Sequence, residues 1–217
     1  SAQKRITVLQ CGMGAPAFAE RLSEHLRHYR YDMLLVAGLA GGLDRRLKSG
    51  DAVIYDICRD GRKFKLDSKE KPLNRDENAS IHCNDLLVAA LSALLQAAGQ
   101  RCFRGSGVTV DRVLTEAQDK QLLGDCYQAA AADMESYDVL SICSKSGLPA
   151  AVLRVISDDV GSNLPNFNWA AEASGRMNPW RMGAVMVARP AASLKFLLGI
   201  RSVINALREN LKIVLQT

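Results

Sequence analysis

A chain of 217 residues that is 48% hydrophobic and 24% charged has the balance of an ordinary globular domain, long enough to bury roughly 70% of its unfolded surface. The net charge of +5 is spread without a dense Lys/Arg block, so an anionic ligand is compatible with it and a nucleic-acid partner is not expected. Six cysteines stand singly, with no C-x-x-C, beside three histidines, so no metal site is expected. Most of these cysteines sit in apolar segments and read as small buried hydrophobes of a reducing cytoplasm. No apolar stretch reaches the ~20 residues that span a membrane and no signal peptide opens the chain, so a cytoplasmic protein is the expectation.

Arg5 to Cys11 reads as a buried strand and Gly12-Met13-Gly14 as a tight loop. Ala15 to about His28 reads as a helix, because Ala15, Phe18, Ala19, Leu22 and Leu26 recur at three- and four-residue steps. Pro16 suits its first turn. A glycine loop opening a helix holds an anion through free N–H groups; a plain tight turn is the other reading. Asp32 to Gly38 is a second apolar strand. It runs into a loop, Gly38 to Leu43, whose three glycines either let the backbone approach a ligand or make a flexible connection. Ser49-Gly50-Asp51 signals a turn before a strand from Ala52 to Ile57. Ile57 to Leu66 reads as a hairpin around Asp60-Gly61, and Asp67 to Ser80 as an exposed loop.

Asn84 to Ala98 reads as a helix with Asn84 or Cys83 near its N-cap and Gly99 at its C-cap. A strand from Arg101 to Val110 follows, then a helix from Glu116 to about Cys126, capped by Thr115. Ala129 to Met134 is a strand, Ser136 to Ser146 a helix closed by Gly147, and Pro149 to Ile156 a strand. Gly161 to Asn178 is poorly patterned and reads as a loop over the site. A helix from Ala191 to about Val214, kinked at Gly199, carries leucines with Lys and Arg between them. It reads either as docked on the sheet or as a contact for a membrane surface or partner. The whole is a single α/β domain with a mixed, mostly parallel twisted sheet flanked by helices.

Two apolar runs end abruptly in acids: Ala130 to Ser136, with Asp133-Met134-Glu135, and Leu153 to Asp159. Ligands bind at the carboxyl ends of strands in open parallel sheets, so two neighbouring strand ends would deliver Glu135 and Asp158 to one crevice. A carboxylate accepts hydrogen bonds from sugar hydroxyls. A buried carboxyl beside another acid stays protonated and serves as a general acid. Cleavage of a sugar–base bond needs both, with Glu135 on the ribose, Asp158 toward the base and Met134 as an adaptable apolar surface. Plainer readings stand beside this one. Glu135-Ser136 is also a favourable helix start, Asp158-Asp159 a turn, and Arg154, inside an apolar strand, half of a structural ion pair.

Taken with Gly12-Met13-Gly14, Gly38 to Leu43 and Ser49-Gly50-Asp51 ahead of them, Asp133-Met134-Glu135 and Arg154 to Asp158 resemble the signature of the purine nucleoside phosphorylase, uridine phosphorylase and methylthioadenosine/adenosylhomocysteine nucleosidase superfamily. The resemblance covers about residues 6 to 160. It implies a phosphorylase/hydrolase-like fold, cleavage of the N-glycosidic bond of a purine nucleoside, a small-molecule nucleoside partner and a homo-oligomer. It implies no metal or organic cofactor, with either phosphate as co-substrate or water as nucleophile. By the same resemblance Glu135 binds the ribose hydroxyls, Met134 packs on the ribose, Asp158 serves the purine N7 and Ser157 orients Asp158. Asp133, with Ala132, sits beside the base. Met13 and the backbones of Gly12 and Gly14 line the ribose and nucleophile side, and Ala40 and Gly41 lie near the anomeric carbon. Trp180-Arg181, Arg189-Pro190 and the leucine-rich helix are similar to the hopanoid-associated phosphorylase branch, which implies a nucleoside-derived lipid precursor as substrate.

Two departures accompany the resemblance. Leu39 stands where the family usually has a serine that helps hold phosphate or water, and leucine has no hydrogen-bond donor. The family also places a strand and hairpin ahead of the stretch matching Arg5. They carry the phosphate-binding glycine and arginine of phosphorylases or the water-activating glutamate of nucleosidases. Either that segment belongs to a longer chain than this one or the nucleophile machinery is lost; the second reading, with Leu39, favours the alternative of a nucleoside-binding protein with impaired catalysis, and a lost first strand would expose a sheet edge.

Overall fold

The computed structural model describes residues 5–10, 16–63, 80–165, 167–170, 178–188 and 190–216. The elements are α1 (Pro16–His28), β1 (Leu34–Gly42), β2 (Ala52–Asp60), β3 (Ser80–His82), α2 (Asp85–Ala97), β4 (Cys102–Thr109), α3 (Ala117–Tyr127), β5 (Ala131–Asp133), α4 (Ser136–Lys145), β6 (Ala150–Asp158), a short 3-10 turn (Phe167–Ala170), α5 (Pro179–Ala188) and α6 (Pro190–Gln216). The domain is α/β with a mixed sheet and flanking helices, as the alternation of patterns requires.

The sheet corrects the expectation of an open, mostly parallel one. Its order is β3-β2-β4-β5-β1-β6, and β2 also pairs with β6. That last pairing closes β2, β4, β5, β1 and β6 into a barrel. β2 makes this possible by changing partner along its length. Ala52 to Ile54 run antiparallel to β6, while Ile57 to Arg59 pair with β3. The long ladders β1–β6 and β2–β4 are parallel, whereas β5 runs antiparallel to β1. β6 is buried along nearly its whole length, which explains its unbroken apolar run. Each Val, Leu or Ile fully buried there contributes about 1.5–3 kcal/mol.

Three further expectations change. Arg5 to Gln10 is exposed and without strand structure, with Ile6 at 56% and Val8 at 84% exposure; no strand pairs with it among the described residues, and Cys11 lies outside them. The strand expected to end at Ile57 runs on through Asp60, and its antiparallel partner among the described residues is β3; 64–79, which holds the rest of the expected hairpin and exposed loop, lies outside the described residues. Gly38 to Gly42 is not a loop: β1 continues through Gly42.

The helices dock as their apolar faces dictate. Phe18, Leu22 and Leu26 of α1 are buried at four-residue steps, and Asn84 caps α2 by accepting from the Leu87 N–H at 3.1 Å. The N-cap of α3 is Glu116 rather than Thr115, and the first free N–H of that helix is satisfied from outside, by Asn163 Oδ1 on Ala117 N. α6 is continuous through Gly199 and docks on the domain, with Val203 and Asn210 buried. Its other side leaves Leu194, Leu197, Leu198 and Ile204 exposed. No described helix is long and apolar enough to cross a membrane. Burial pushes the Cys83 thiol up to about 12 and those of Cys102 and Cys143 to about 11, which suits small packed hydrophobes and not nucleophiles.

Candidate active site

β1 is the axis of the site, because β5 and β6 flank it on opposite sides. Gly41 pairs with Ala132 of β5 and with Asp158 of β6. The two acids are therefore not on adjacent strand ends: they approach one strand from both edges, at different heights. Glu135 stands at the level of Gly38 and Leu39, where Arg154 meets it. Asp158 stands at Gly41, three residues further along, on the order of 10 Å at strand rise.

A buried guanidinium sets the first level. Arg154, 4% exposed, pairs with Asp133 at 3.3 Å and with Glu135 at 3.1 Å. It also donates to Ser136 Oγ at 2.9 Å and to the Leu39 carbonyl at 3.4 Å. Burial alone would raise the Asp133 carboxyl. The Arg154 charge and the N–H groups of Ser136 and Glu135 outweigh burial and hold it below the usual carboxylate range. Burial likewise opposes the Arg154 charge, and Asp133 and Glu135 together raise it further above its ordinary value. Asp133 thus spends its carboxylate inside the fold, on Arg154, on the start of α4 and on the Thr109 hydroxyl at 2.9 Å. The structure gives it a scaffolding environment and not an opening toward a base. Glu135, half-buried at the N-cap of α4, is held by the same guanidinium, and Met134 beside it is half-buried.

Gly38 explains part of the glycine-rich stretch. A methyl group there would come within 2.5 Å of Arg154 Nη1, closer than real side chains approach. Gly38→Ala is expected to cost about 1–3 kcal/mol through forced displacement of the guanidinium, seen as a lower denaturant midpoint at unchanged slope. Gly42 is less tightly confined: a methyl group there would lie 3.0 Å from the Asp158 carbonyl oxygen. The glycines thus admit β6 side chains and backbone against β1.

The second level is built on a β-bulge. Ala40 pairs with Ile156 but Gly41 pairs with Asp158, so Ser157 is an extra residue in β6. Bulges re-aim side chains and gather beside active sites. Here the bulge turns Ser157 Oγ onto the Ala40 carbonyl at 3.1 Å and onto Asp158 Oδ1 at 2.5 Å. Gly41 lies against the same carboxyl, its missing methyl 3.7 Å from Asp158 Oδ2. The expectation of a second acid beside Asp158 is corrected: its buried neighbour is a cation. Lys120 of α3, 1% exposed, pairs with Asp158 Oδ2 and donates to the Ser162 carbonyl at 2.8 Å and the Asp159 carbonyl at 3.3 Å. Asp159 faces elsewhere, accepting from Ser49 N at 2.6 Å.

Sequence reasoning missed Lys120. The signal available was its spacing, since Lys120 shares a helix face with buried Leu123 and Gly124. Gly12, Met13 and Gly14 lie outside the described residues, as does 171–177 of the segment read as a loop over the site. The described part of that segment is a 3-10 turn and its lead-in, tied back by Asn168 to both the N–H and the carbonyl of Val113 at 2.8 Å. Among the described residues no three His, Cys, Asp or Glu side chains gather closely enough to hold a metal ion. Two surface recesses, of about 500 and 620 Å³, lie on α6 and between β4 and α3; neither includes Glu135 or Asp158.

Comparison with known proteins places this geometry. Residues 2–177 match the family model described as the phosphorylase superfamily. A structure described as a putative methylthioadenosine nucleosidase from Weissella paramesenteroides is 27% identical, over 69% of this chain and 67% of its own, with a TM-score of 0.57. The 5′-methylthioadenosine/S-adenosylhomocysteine nucleosidase of Neisseria meningitidis, in complex with methylthio-immucillin-A, reaches a TM-score of 0.67 at 16% identity, over 94% and 78%. A mutant of the futalosine hydrolase of Helicobacter pylori gives 0.59 at 17%, over 91% and 77%. The last two show a shared fold. With four-fifths of its length inside the matched region and the acidic strand ends held at β1, the chain belongs to the phosphorylase superfamily.

Proposed function

We propose that the protein cleaves the N-glycosidic bond of a purine nucleoside. The observation that carries this is the pair of acids held at two heights along β1, Glu135 by Arg154 and Asp158 by Lys120 and Ser157, in a chain of this superfamily. Breaking the bond leaves positive charge on the ribose, and the base carries off the bonding pair. Glu135 accepts hydrogen bonds from the ribose hydroxyls and its charge opposes the one that develops. Asp158 gives the proton that neutralises the leaving base at N7. Met134 packs against the ribose, and Ala40 and Gly41 lie near the anomeric carbon.

The neighbours named as nucleosidases and hydrolase support water as the acceptor. Incubation with adenosine and with 5′-methylthioadenosine, with and without phosphate, is expected to release adenine in both cases and to yield free ribose sugar rather than its 1-phosphate. Chromatography of the products checks this. Calorimetric binding of either nucleoside without any release of adenine would replace the enzyme by a binding protein of the same fold.

A further inference from the structure

Lys120 is an unusual resident of a helix that is otherwise poor in apolar pattern. A lysine costs several kcal/mol to bury as an ion unless fully paired, and this one is. Its ammonium has three N–H donors, and three acceptors meet them: Asp158 Oδ2, the Asp159 carbonyl and the Ser162 carbonyl. Nothing in the chain's need for stability requires this. An apolar side chain at 120, beside Leu123, with a neutral residue at 158 would pack as well and avoid the desolvation of two charges.

We propose that Lys120 is the positioning residue of Asp158, an assignment that rests on the nucleoside-cleaving reading above. Asp158 is gripped at both carboxyl oxygens, Ser157 on Oδ1 and Lys120 on Oδ2, so its carboxyl plane is fixed. The lysine itself is fixed by the 159–162 turn, which is in turn joined to α3 through Asn163 and to Thr115 through the Leu164 N–H at 2.8 Å. As the C1′–N9 bonding pair moves onto the base, Asp158 passes to N7 a proton taken up from water, and the carboxylate that pairs with Lys120 is restored. Lys120 is the cation already in place beside it, and it keeps all its own protons throughout. A charge preorganised where charge appears needs no rearrangement during the reaction.

The test is Lys120→Met, assayed on two compounds. 5′-Methylthioadenosine needs its base protonated; 4-nitrophenyl β-ribofuranoside has a leaving group that departs unprotonated. The ratio of kcat/KM for the nucleoside to that for the nitrophenyl riboside is expected to fall on the order of 10²-fold, mostly in kcat. Equal loss on both compounds overturns the assignment alone and leaves Lys120 a structural ion. A wild-type chain that splits neither compound overturns the nucleoside reading and the assignment with it. Because Lys120→Met leaves a buried carboxyl without its cation, the same change is also made in Asp158→Asn, where no unpaired charge remains. There Lys120→Met is expected to change residual turnover of methylthioadenosine by less than about twofold, since residues acting as a unit are not additive. A second full loss in that background contradicts action through Asp158.

Discussion

Asp158→Asn is expected to lower kcat for adenine release by about 10²–10⁴-fold, the range that a lost general acid commands. KM should move little, because the proposed reading places the ribose on Glu135 and Met134, on the far side of β1. The variant also bears a stability cost that the sequence did not foretell. Asparagine still offers Lys120 an oxygen, but the buried ammonium loses its counter-charge, and a hydrogen bond to a charged group contributes roughly 1.5–3 kcal/mol. Rates are therefore read well below the variant's melting temperature, with circular dichroism confirming the native helix content. A folded Asp158→Asn that turns over at the wild-type rate would remove Asp158 from the mechanism.

The second large effect is on the fold. Arg154→Met leaves Asp133 and Glu135 against an apolar side chain and should cost roughly 3–5 kcal/mol at pH 7, the usual result of stranding buried charge. Its pH dependence has a definite sign. In the wild type the Asp133 carboxyl is held below its ordinary 3.8, so its contribution to stability is complete above that value and is lost as the pH falls through the lower, folded one. In the variant, burial is no longer offset by the guanidinium and disfavours the ionised form instead. The penalty is then largest at neutral pH and is relieved as the carboxyl takes up a proton. Urea titrations at pH 7 and pH 4 should show the gap between wild type and variant narrowing on acidification; a gap that widens contradicts the pairing. Glu135 loses its anchor in the same variant, so adenine release falls with stability.

How much of this was legible depended on whether the signal was local. The helix α2 and its Asn84 cap, the apolar run of β6 and the acids at 135 and 158 could all be read from short stretches, because capping, periodicity and an abrupt change of polarity act over a few residues. The partner of Arg154 was foreseen as a carboxylate, and there are two. What escaped was set by distant chain. Closure of the barrel depends on Ala52 to Ile54 finding Leu153 to Val155, a hundred residues away, and no local pattern encodes that meeting. The glycines of β1 looked like a loop because their use, admitting Arg154 and the Asp158 backbone, belongs to another strand. Lys120 drew no notice, since lysines are usually solvated, and only the fold brings Asp158 to it. The resemblance placed Asp133 beside the base, whereas its carboxyl is turned into the fold, onto Arg154, Thr109 and the start of α4.

The bulge at Ser157 makes the acid's placement a matter of counting. Strands address their two faces in strict alternation, and a bulge inserts one extra residue, at a bend, before the ladder resumes. Exchanges among the apolar residues of β6 leave that count untouched, however much they alter packing. Removing the single extra residue would leave the carboxyl at 158 opposite Gly41 in a regular ladder, without the bend and the Ser157 hydroxyl that aim it. The reactive end of β6 is thus specified by a length as firmly as by an amino acid, and a relative with the same Ser-Asp pair but a strand one residue shorter would carry the letters of this site without its geometry.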